Sequence, residues 1–162
     1  MAIFDFVRVR QIDVTPVVST SPAYSALDQV GNLMKFGSVT LNQSGASFLL
    51  GWQVYDKKQI EAALALLIFD RSVTVSADNA AFAITDADAA HMIPGGYLLT
   101  GTYVKNAATS SFYTTTLTAP IPLKPFSGKS IYVAMRAIAT PTYTGVDDII
   151  VSLMVGQMGA GV

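Results

Sequence analysis

Two apolar segments separated by a short charged break constrain the fold of this chain more than any other feature. The first, residues 48–56, reads FLLGWQVYD, and the second, residues 60–70, reads IEAALALLIFD, with two lysines and a glutamine between them. Apolar residues alternate along the first segment, which predicts a β-strand with one buried face. The residues of that predicted face are Phe48, Leu50, Trp52 and Val54. We therefore expect the two segments to be paired inner strands of a β-sandwich.

The second segment is apolar on both faces, so its periodicity alone does not separate a strand from a helix. The letters IEAALALLIF also have helical propensity. We predict a strand over residues 62–69, because the segment ends at Phe69 and Asp70 and because the surrounding patterns are those of strands.

The remainder of the chain consists of short strand patterns separated by turn residues. Those patterns cover residues 2–14, 33–41, 73–76, 97–105, 112–117, 130–138 and 149–155. Short helical turns are predicted over residues 24–30, capped by Ser25, and over residues 85–92, capped by Thr85. The prolines at 120, 122 and 125 predict an edge strand or connector, and residues 141–148 are predicted to be a surface loop.

These patterns predict an all-β fold, a single antiparallel β-sandwich or jelly-roll-like domain with one or two short helical turns. A chain of 162 residues fits one domain and leaves little for a second, so the domain is expected to span residues 1–155. Within it, residues 1–10 are a candidate assembly arm. Residues 156–162 are predicted to be a flexible Gly-rich tail.

The composition indicates a chain that hides more apolar surface than one copy can bury alone. Hydrophobic residues make up 51% of the chain and charged residues 13%, against about 25% charged in an average globular protein. No apolar run approaches the roughly 20 residues of a membrane-spanning helix, so we expect burial against other copies or another protein. A net charge of −1 with scattered basic residues argues against nucleic acid as a partner, and the N-terminal letters do not form a signal peptide pattern.

The candidate chemical groups each have a simpler structural interpretation. His91 is the single histidine, and the chain has no G-x-S-x-G motif to accompany it in a hydrolase. Asp86 and Asp88 are candidates to orient its ring, but a position at the C-terminal end of the short turn, where the backbone dipole favours an imidazole, explains the residue without a site. Asp78, Asp86 and Asp88, with Asn79, offer oxygen ligands for calcium, but Asx turns and a helix cap explain the same residues. We therefore predict no catalytic residues, no metal site and no cofactor, and whether these three aspartates bind an ion stays open.

The aromatic residues allow two interpretations. A platform for stacking on sugars is one of them, and core packing or a subunit interface is the other. The residues concerned are Trp52, Tyr97, Tyr103, Phe112 and Tyr113.

The middle of the chain resembles a family of small virion structural proteins of tailed bacteriophages. The likeness rests on a hairpin that ends at Phe69 and Asp70, on the letters ADNAAF at residues 77–82 and on DAD at residues 86–88. Residues 23–39 are also similar, so the resemblance covers about the first two thirds of the chain. It implies a β-sandwich subunit of the phage particle, a capsid decoration or cement protein that acts as an oligomer. The motifs are architectural and bring no catalytic residues with them.

The resulting hypothesis is a non-enzymatic decoration protein that stabilises the phage head by packing across capsomers. It implies a homo-oligomer, with a trimer favoured, and the major capsid protein as partner. The location would be the virion, assembled in the cytoplasm of the host bacterium. The candidate assembly contacts are Ile3, Phe4 and Phe6 of the N-terminal arm. The alternatives are a tail or baseplate accessory protein and a carbohydrate-binding β-sandwich module.

Overall fold

The computed structural model describes residues 8–43 and 45–159 and consists of two antiparallel sheets packed around one main core. The five-stranded sheet has the order β1-β9-β3-β7-β6, and the four-stranded sheet has the order β2-β8-β4-β5. The strands are β1 Arg8–Val14, β2 Met34–Phe36, β3 Ser47–Asp56, β4 Leu64–Phe69, β5 Met92–Leu99, β6 Val104–Lys105, β7 Ser111–Leu123, β8 Ile131–Ala137 and β9 Ile149–Gln157. The predicted all-β sandwich is confirmed.

Strand β4 is buried along its whole length and explains why its sequence is apolar on both faces. Leu64, Leu66 and Ile68 belong to the main core between the sheets. Leu67 and Phe69 point the other way, into a second cluster with Val73, and half-buried side chains of the segment between β4 and β5 pack against that cluster. This segment, residues 70–91, therefore covers much of the outer face of the four-stranded sheet. The strand prediction for residues 62–69 is confirmed.

The expected pairing of β3 with β4 is wrong, because the two strands lie in opposite sheets. β3 pairs with β7 and β9, whereas β4 pairs with β5 and β8. The connection between them is held open by the buried carboxylate of Asp56, which accepts hydrogen bonds from the backbone N–H groups of Lys58 (2.8 Å) and Glu61 (2.7 Å). It crosses the end of the sandwich and does not close a hairpin.

The predicted buried face of β3 is also wrong over its first half. A β-bulge between Leu49 and Gly51 shifts the register against both neighbouring strands. As a result Leu49 is buried with Trp52, whereas Phe48 and Leu50 are half-buried. A Cβ at Gly51 would lie 2.6 Å from the backbone oxygen of Thr115, so the close approach of β7 requires glycine there.

The two predicted helical turns have different outcomes. Residues 86–89 form α1, Asp86–Ala89, and Thr85 caps it by accepting a hydrogen bond from the Asp88 N–H (3.1 Å), as predicted. Residues 24–30 are not helical, because Leu27 has a φ of 75° and Asp28 and Gln29 form isolated bridges to Ala81 and Arg136. Tertiary pairing overrides the local pattern there.

In the C-terminal third, β7 continues through Pro120 and Pro122 beyond the end of β6, in agreement with the predicted edge strand. Two other features there differ from expectation. The 141–148 loop is anchored by the buried side chain of Tyr143 and by Asp148, whose carboxylate accepts hydrogen bonds from backbone N–H groups of the loop. β9 runs to Gln157, which is buried, so the tail cannot begin at residue 156 as predicted.

In the middle of the chain, the predicted strand at residues 73–76 is irregular backbone.

Of the predicted assembly arm, residues 8–10 belong to β1, where Arg8 lies opposite Gln157. Ile3, Phe4 and Phe6 lie outside the described residues. Across the described ranges, no helix combines the length and the apolarity needed to cross a membrane.

Because β4 packs on both faces, we expect truncation of its side chains to destabilise the fold strongly. Leu66 is fully buried in the main core, so Leu66→Ala should lower the free energy of unfolding by about 2–5 kcal/mol. Leu99, on neighbouring β5, is 52% exposed, and Leu99→Ala should change it by about 0.5 kcal/mol. Urea unfolding of both variants measures the difference. Equal losses would contradict the assignment of β4 as the central buried strand.

Candidate functional site

The carboxylate of Asp78 is a structural hydrogen-bond acceptor that joins three chain segments. Its Oδ1 accepts hydrogen bonds from the hydroxyl of Tyr24 (2.6 Å) and from the backbone N–H of Gly31 (2.6 Å). The same tyrosine oxygen accepts a hydrogen bond from the backbone N–H of Ser19 (2.7 Å). Next to it, Asn79 has a φ of 60° and donates from its side chain to the backbone oxygen of Pro22. These contacts give Asp78 and Asn79 a role without an ion.

The other two candidate calcium ligands do not share the hydrogen bonds of Asp78. Asp86 is exposed in the first turn of α1, and Asp88 accepts a hydrogen bond from the backbone N–H of Thr74 (3.2 Å). In residues 8–43 and 45–159, no three histidine, aspartate, glutamate or cysteine side chains are grouped so as to hold a metal ion. The structure does not bring the three aspartates together.

His91 follows α1 and pairs with a carboxylate that sequence reasoning did not assign to it. Its Nδ1 lies 2.9 Å from Oδ1 of Asp70, and its ring meets that of Phe126 edge-on at 5.4 Å. The predicted partners Asp86 and Asp88 do not orient the imidazole with their carboxylates; Asp88 contributes its backbone oxygen to the His91 N–H. The position at the end of the helical turn is as predicted, and the contacts fix the start of β5 to the end of β4.

The aromatic residues proposed for sugar stacking do not form one platform. Trp52 and Tyr103 are buried, and Tyr113 packs on both of them with ring centroids 4.9 Å and 6.1 Å away. Tyr97 lies in the other sheet, and Phe112 is half-buried on the opposite face of its strand from Tyr113. Three of the five rings therefore serve the core.

Three tyrosine hydroxyls are enclosed in the fold. Burial raises the pKa of Tyr24, Tyr103 and Tyr143 well above that of a free tyrosine, because desolvation disfavours the charged phenolate. The hydroxyls of Tyr24 and Tyr103 make hydrogen bonds, the latter to the backbone oxygen of Ala62 (3.0 Å). The hydroxyl of Tyr143 is buried without a hydrogen-bond partner in the described part of the chain.

The outer face of the five-stranded sheet carries little charge. We call it the outer sheet face and define it by Val9, Gln11, Asp13, Gln53, Tyr55, Phe112, Thr114, Thr116, Ile150, Ser152 and Met154, which strand register places together. Asp13 is the one charged residue in this set. Its carboxylate accepts a hydrogen bond from Gln11, which also contacts Ser152, so part of the polar surface is satisfied within the face.

A second apolar surface lies on the four-stranded sheet, beyond the part that residues 70–91 cover. We call it the Arg136 surface and define it by Leu27, Phe82, Tyr97, Leu99, Arg136 and Ile138. Register places the residues of three strands side by side, because Ala65 of β4 lies opposite both Leu99 of β5 and Arg136 of β8. Two backbone hydrogen bonds attach the loop residues Leu27 and Phe82 to the end of β8. The Leu27 N–H donates to the Ala137 oxygen, and the Phe82 N–H donates to the Leu27 oxygen.

The guanidinium of Arg136 lies between two aromatic rings of this surface. Its Cζ is 5.7 Å from the centroid of Tyr97 and 5.9 Å from that of Phe82, and one Nη donates to the Tyr97 hydroxyl at 2.7 Å. Both rings lie within the distance of cation–π attraction. Sequence reasoning missed this residue, although a lone arginine within the apolar letters IYVAMRA was the available signal.

Comparisons with family models, with curated proteins and with solved structures find no match for this chain.

The buried tyrosines permit a matched test of the hydrogen bonds around Asp78. Tyr24→Phe removes the donor to Asp78 and the acceptor for Ser19, and should lower the free energy of unfolding by about 1–2 kcal/mol. Tyr143→Phe removes a hydroxyl without a partner and should be neutral within about 0.5 kcal/mol or stabilising. Denaturant unfolding of both variants measures this. A Tyr143→Phe loss as large as that of Tyr24→Phe would contradict the assignment.

Alkaline pH should destabilise the fold through the same residues. The folded state holds these phenolic protons more tightly than the unfolded state, whose tyrosines titrate near pH 10. Their contribution to stability is therefore intact below about pH 10 and is lost as the pH rises above it. Phenolate absorbance recorded with circular dichroism measures this. If all seven tyrosines titrated near pH 10 while the sheet signal persisted, the prediction would be wrong.

Proposed function

We propose that this chain is a non-enzymatic structural protein of a tailed bacteriophage virion, a capsid decoration or cement protein. In this proposal it acts as a homo-oligomer, with a trimer favoured, and binds the major capsid protein across neighbouring capsomers. The resemblance of residues 23–39 and 52–93 to small phage virion proteins supports the family. The low-charge surfaces on both sides of the sandwich support a role in packing.

The observation that carries the proposal is the outer sheet face with its single charge. Burying a face of this kind removes little charge from water, so the desolvation cost is small. Four strands spaced about 4.8 Å apart, with about 17 Å of strand length along the defining residues, give a face of roughly 300 Å². That is less than half of the roughly 800 Å² that each partner contributes to a stable interface, so each contact on the shell would be weak by itself. Many copies on one shell would turn a modest affinity per contact into firm attachment.

The proposed assembly uses the N-terminal arm as well as the sheet. Ile3, Phe4 and Phe6 give a short apolar segment with two aromatic side chains shortly before β1 in the sequence. Aromatic side chains are enriched at the centres of protein interfaces. In the proposal this segment inserts into a neighbouring subunit, while the outer sheet face packs on the shell. A tail or baseplate accessory protein would need similar surfaces and would differ in its stoichiometry on the particle.

The native mass of the purified chain tests the oligomer directly. Size exclusion with light scattering should give a mass near three times 17.2 kDa. A second trimer test is deletion of residues 1–7, which leaves β1 intact and should reduce the mass towards that of one chain while the circular dichroism of the sheets persists. A full-length monomer would contradict the oligomer and favour a tail adaptor or a binding module.

Two methionines of equal exposure allow a matched test of the capsid contact. Met154 lies on the outer sheet face and is 40% exposed, while Met92 lies on β5 and is 39% exposed. Met154→Glu should abolish cosedimentation with phage heads that lack this chain, because the buried carboxylate would have no partner. Met92→Glu should bind like the parent. Equal cosedimentation of the two variants would place the capsid contact on another surface.

A glycan array tests the carbohydrate-binding alternative. Saturable binding of the parent chain to a glycan would favour it.

A further inference from the structure

We propose that the Arg136 surface is the acceptor site for residues 3–7 of a second copy of this chain, with Asp5 as the carboxylate that pairs with Arg136. This inference rests on the proposed function, since it names where the N-terminal arm of one subunit binds on the next.

Within residues 8–43 and 45–159, Arg136 is a cation held in place without a carboxylate partner. Among the described residues, the carboxylate contacts of basic side chains are Lys57 with Asp147 and His91 with Asp70, and neither involves Arg136. Its Nε is buried and has no hydrogen-bond acceptor within the described ranges. A guanidinium has five N–H donors in a planar fork that matches a carboxylate. The cation–π contacts with Tyr97 and Phe82 and the hydrogen bond to the Tyr97 hydroxyl hold the guanidinium in place, so little side-chain freedom is lost when an anion binds.

The rim around Arg136 is apolar, which sets the second requirement for an occupant. Leu27 is 55% exposed, Leu99 is 52% exposed and Ile138 is 39% exposed. Leu27 adopts a left-handed backbone conformation, with a φ of 75°, which residues other than glycine and asparagine seldom adopt. Such strain persists where the surrounding structure holds it, and here it presents an apolar side chain to the surface. The surface fits a segment with a carboxylate between apolar residues.

The N-terminal segment has this chemistry. Residues 3–7 read IFDFV, so Asp5 has two apolar residues on each side. Among the described residues, Asp13 is also an exposed aspartate flanked by apolar residues, and it is already hydrogen-bonded to Gln11 on the outer sheet face. A carboxylate–guanidinium pair inside an apolar rim is shielded from water, which strengthens it.

The contact must join two copies, because Asp5 cannot reach the Arg136 of its own chain. Arg8 follows three positions after Asp5, a span of about 10 Å when fully extended. Arg8 lies opposite Gln157, whose side chain donates to the Ser38 oxygen near the start of β8. Arg136 lies five residues further along β8, about 17 Å away, and on the outer side of the other sheet, which adds the roughly 10 Å between packed sheets. An arm on one subunit and an acceptor on the next is a head-to-tail contact, which forms a closed ring when the rotation permits. A trimer satisfies that condition.

Charge reversal with rescue tests the pairing on the full-length chain. Asp5→Arg and Arg136→Glu should each raise the dissociation constant of the oligomer at least about tenfold, as measured by sedimentation over a range of concentrations. The double variant Asp5→Arg with Arg136→Glu restores opposite charges and should recover the parent value to within about threefold.

Matched controls separate the pair from a general charge effect. Asp13→Arg reverses another aspartate between apolar residues, and Arg71→Glu reverses an arginine stacked 5.2 Å from the centroid of Phe126. Both should leave the dissociation constant unchanged. If Arg136→Glu does not fold, the test uses Asp5→Arg and Leu99→Asp, and each should raise the dissociation constant. The first changes no described residue, and the second changes an exposed position.

Each outcome decides between the inference and the function on which it rests. An oligomer that is indifferent to both reversals overturns the Arg136 acceptor and leaves the proposed assembly standing through another surface. Dissociation by both reversals without recovery in the double variant overturns the direct pair. A parent chain that is monomeric at every concentration overturns the oligomer and the acceptor site together.

Discussion

The burial of β4 on both faces is the constraint on which the rest of this structure depends. A strand at the centre of a two-sheet sandwich normally has one side in the core and one towards solvent. β4 instead has apolar side chains on both sides, so a second layer of chain must cover the outer one. Residues 70–91 supply that layer, and their turns, the short helix α1 and the His91–Asp70 pair follow from the need to hold an irregular segment against a sheet.

Buried carboxylates complement this apolar arrangement by organising the connections. Asp56 and Asp148 are nearly fully buried, and each accepts backbone N–H groups of its own loop. Asp78 joins distant segments by accepting from the Tyr24 hydroxyl and from the Gly31 N–H. A backbone N–H that is withdrawn from water needs an acceptor, and a carboxylate can serve two of them at once. The acidic residues that resemble a metal site in the sequence are therefore explained by the backbone around them.

Local signals in the sequence predicted local features well, and failed where a distant residue decides the outcome. Thr85 was identified as a helix cap because its partner, Asp88, is three residues away. Leu27 was misassigned because its conformation depends on pairing with β8 and with residues 81–82. The face of Leu50 was wrong because alternation cannot reveal a bulge. Arg136 was overlooked because its ring partners come from two other parts of the chain, although its isolation in an apolar strand was visible.

The bulge at Leu49–Gly51 also has a consequence for how the chain finds one alignment of its sheets. Strand patterns of uniform alternation can slide by two residues and still present the same faces. In β3 the alternation changes phase at the bulge, so any such displacement would set large side chains against the tight contact that Gly51 makes with Thr115. The bulge thus fixes the register of β3 against its neighbours. It allows β7 and β9, which approach β3 from opposite sides, to be aligned against the same point.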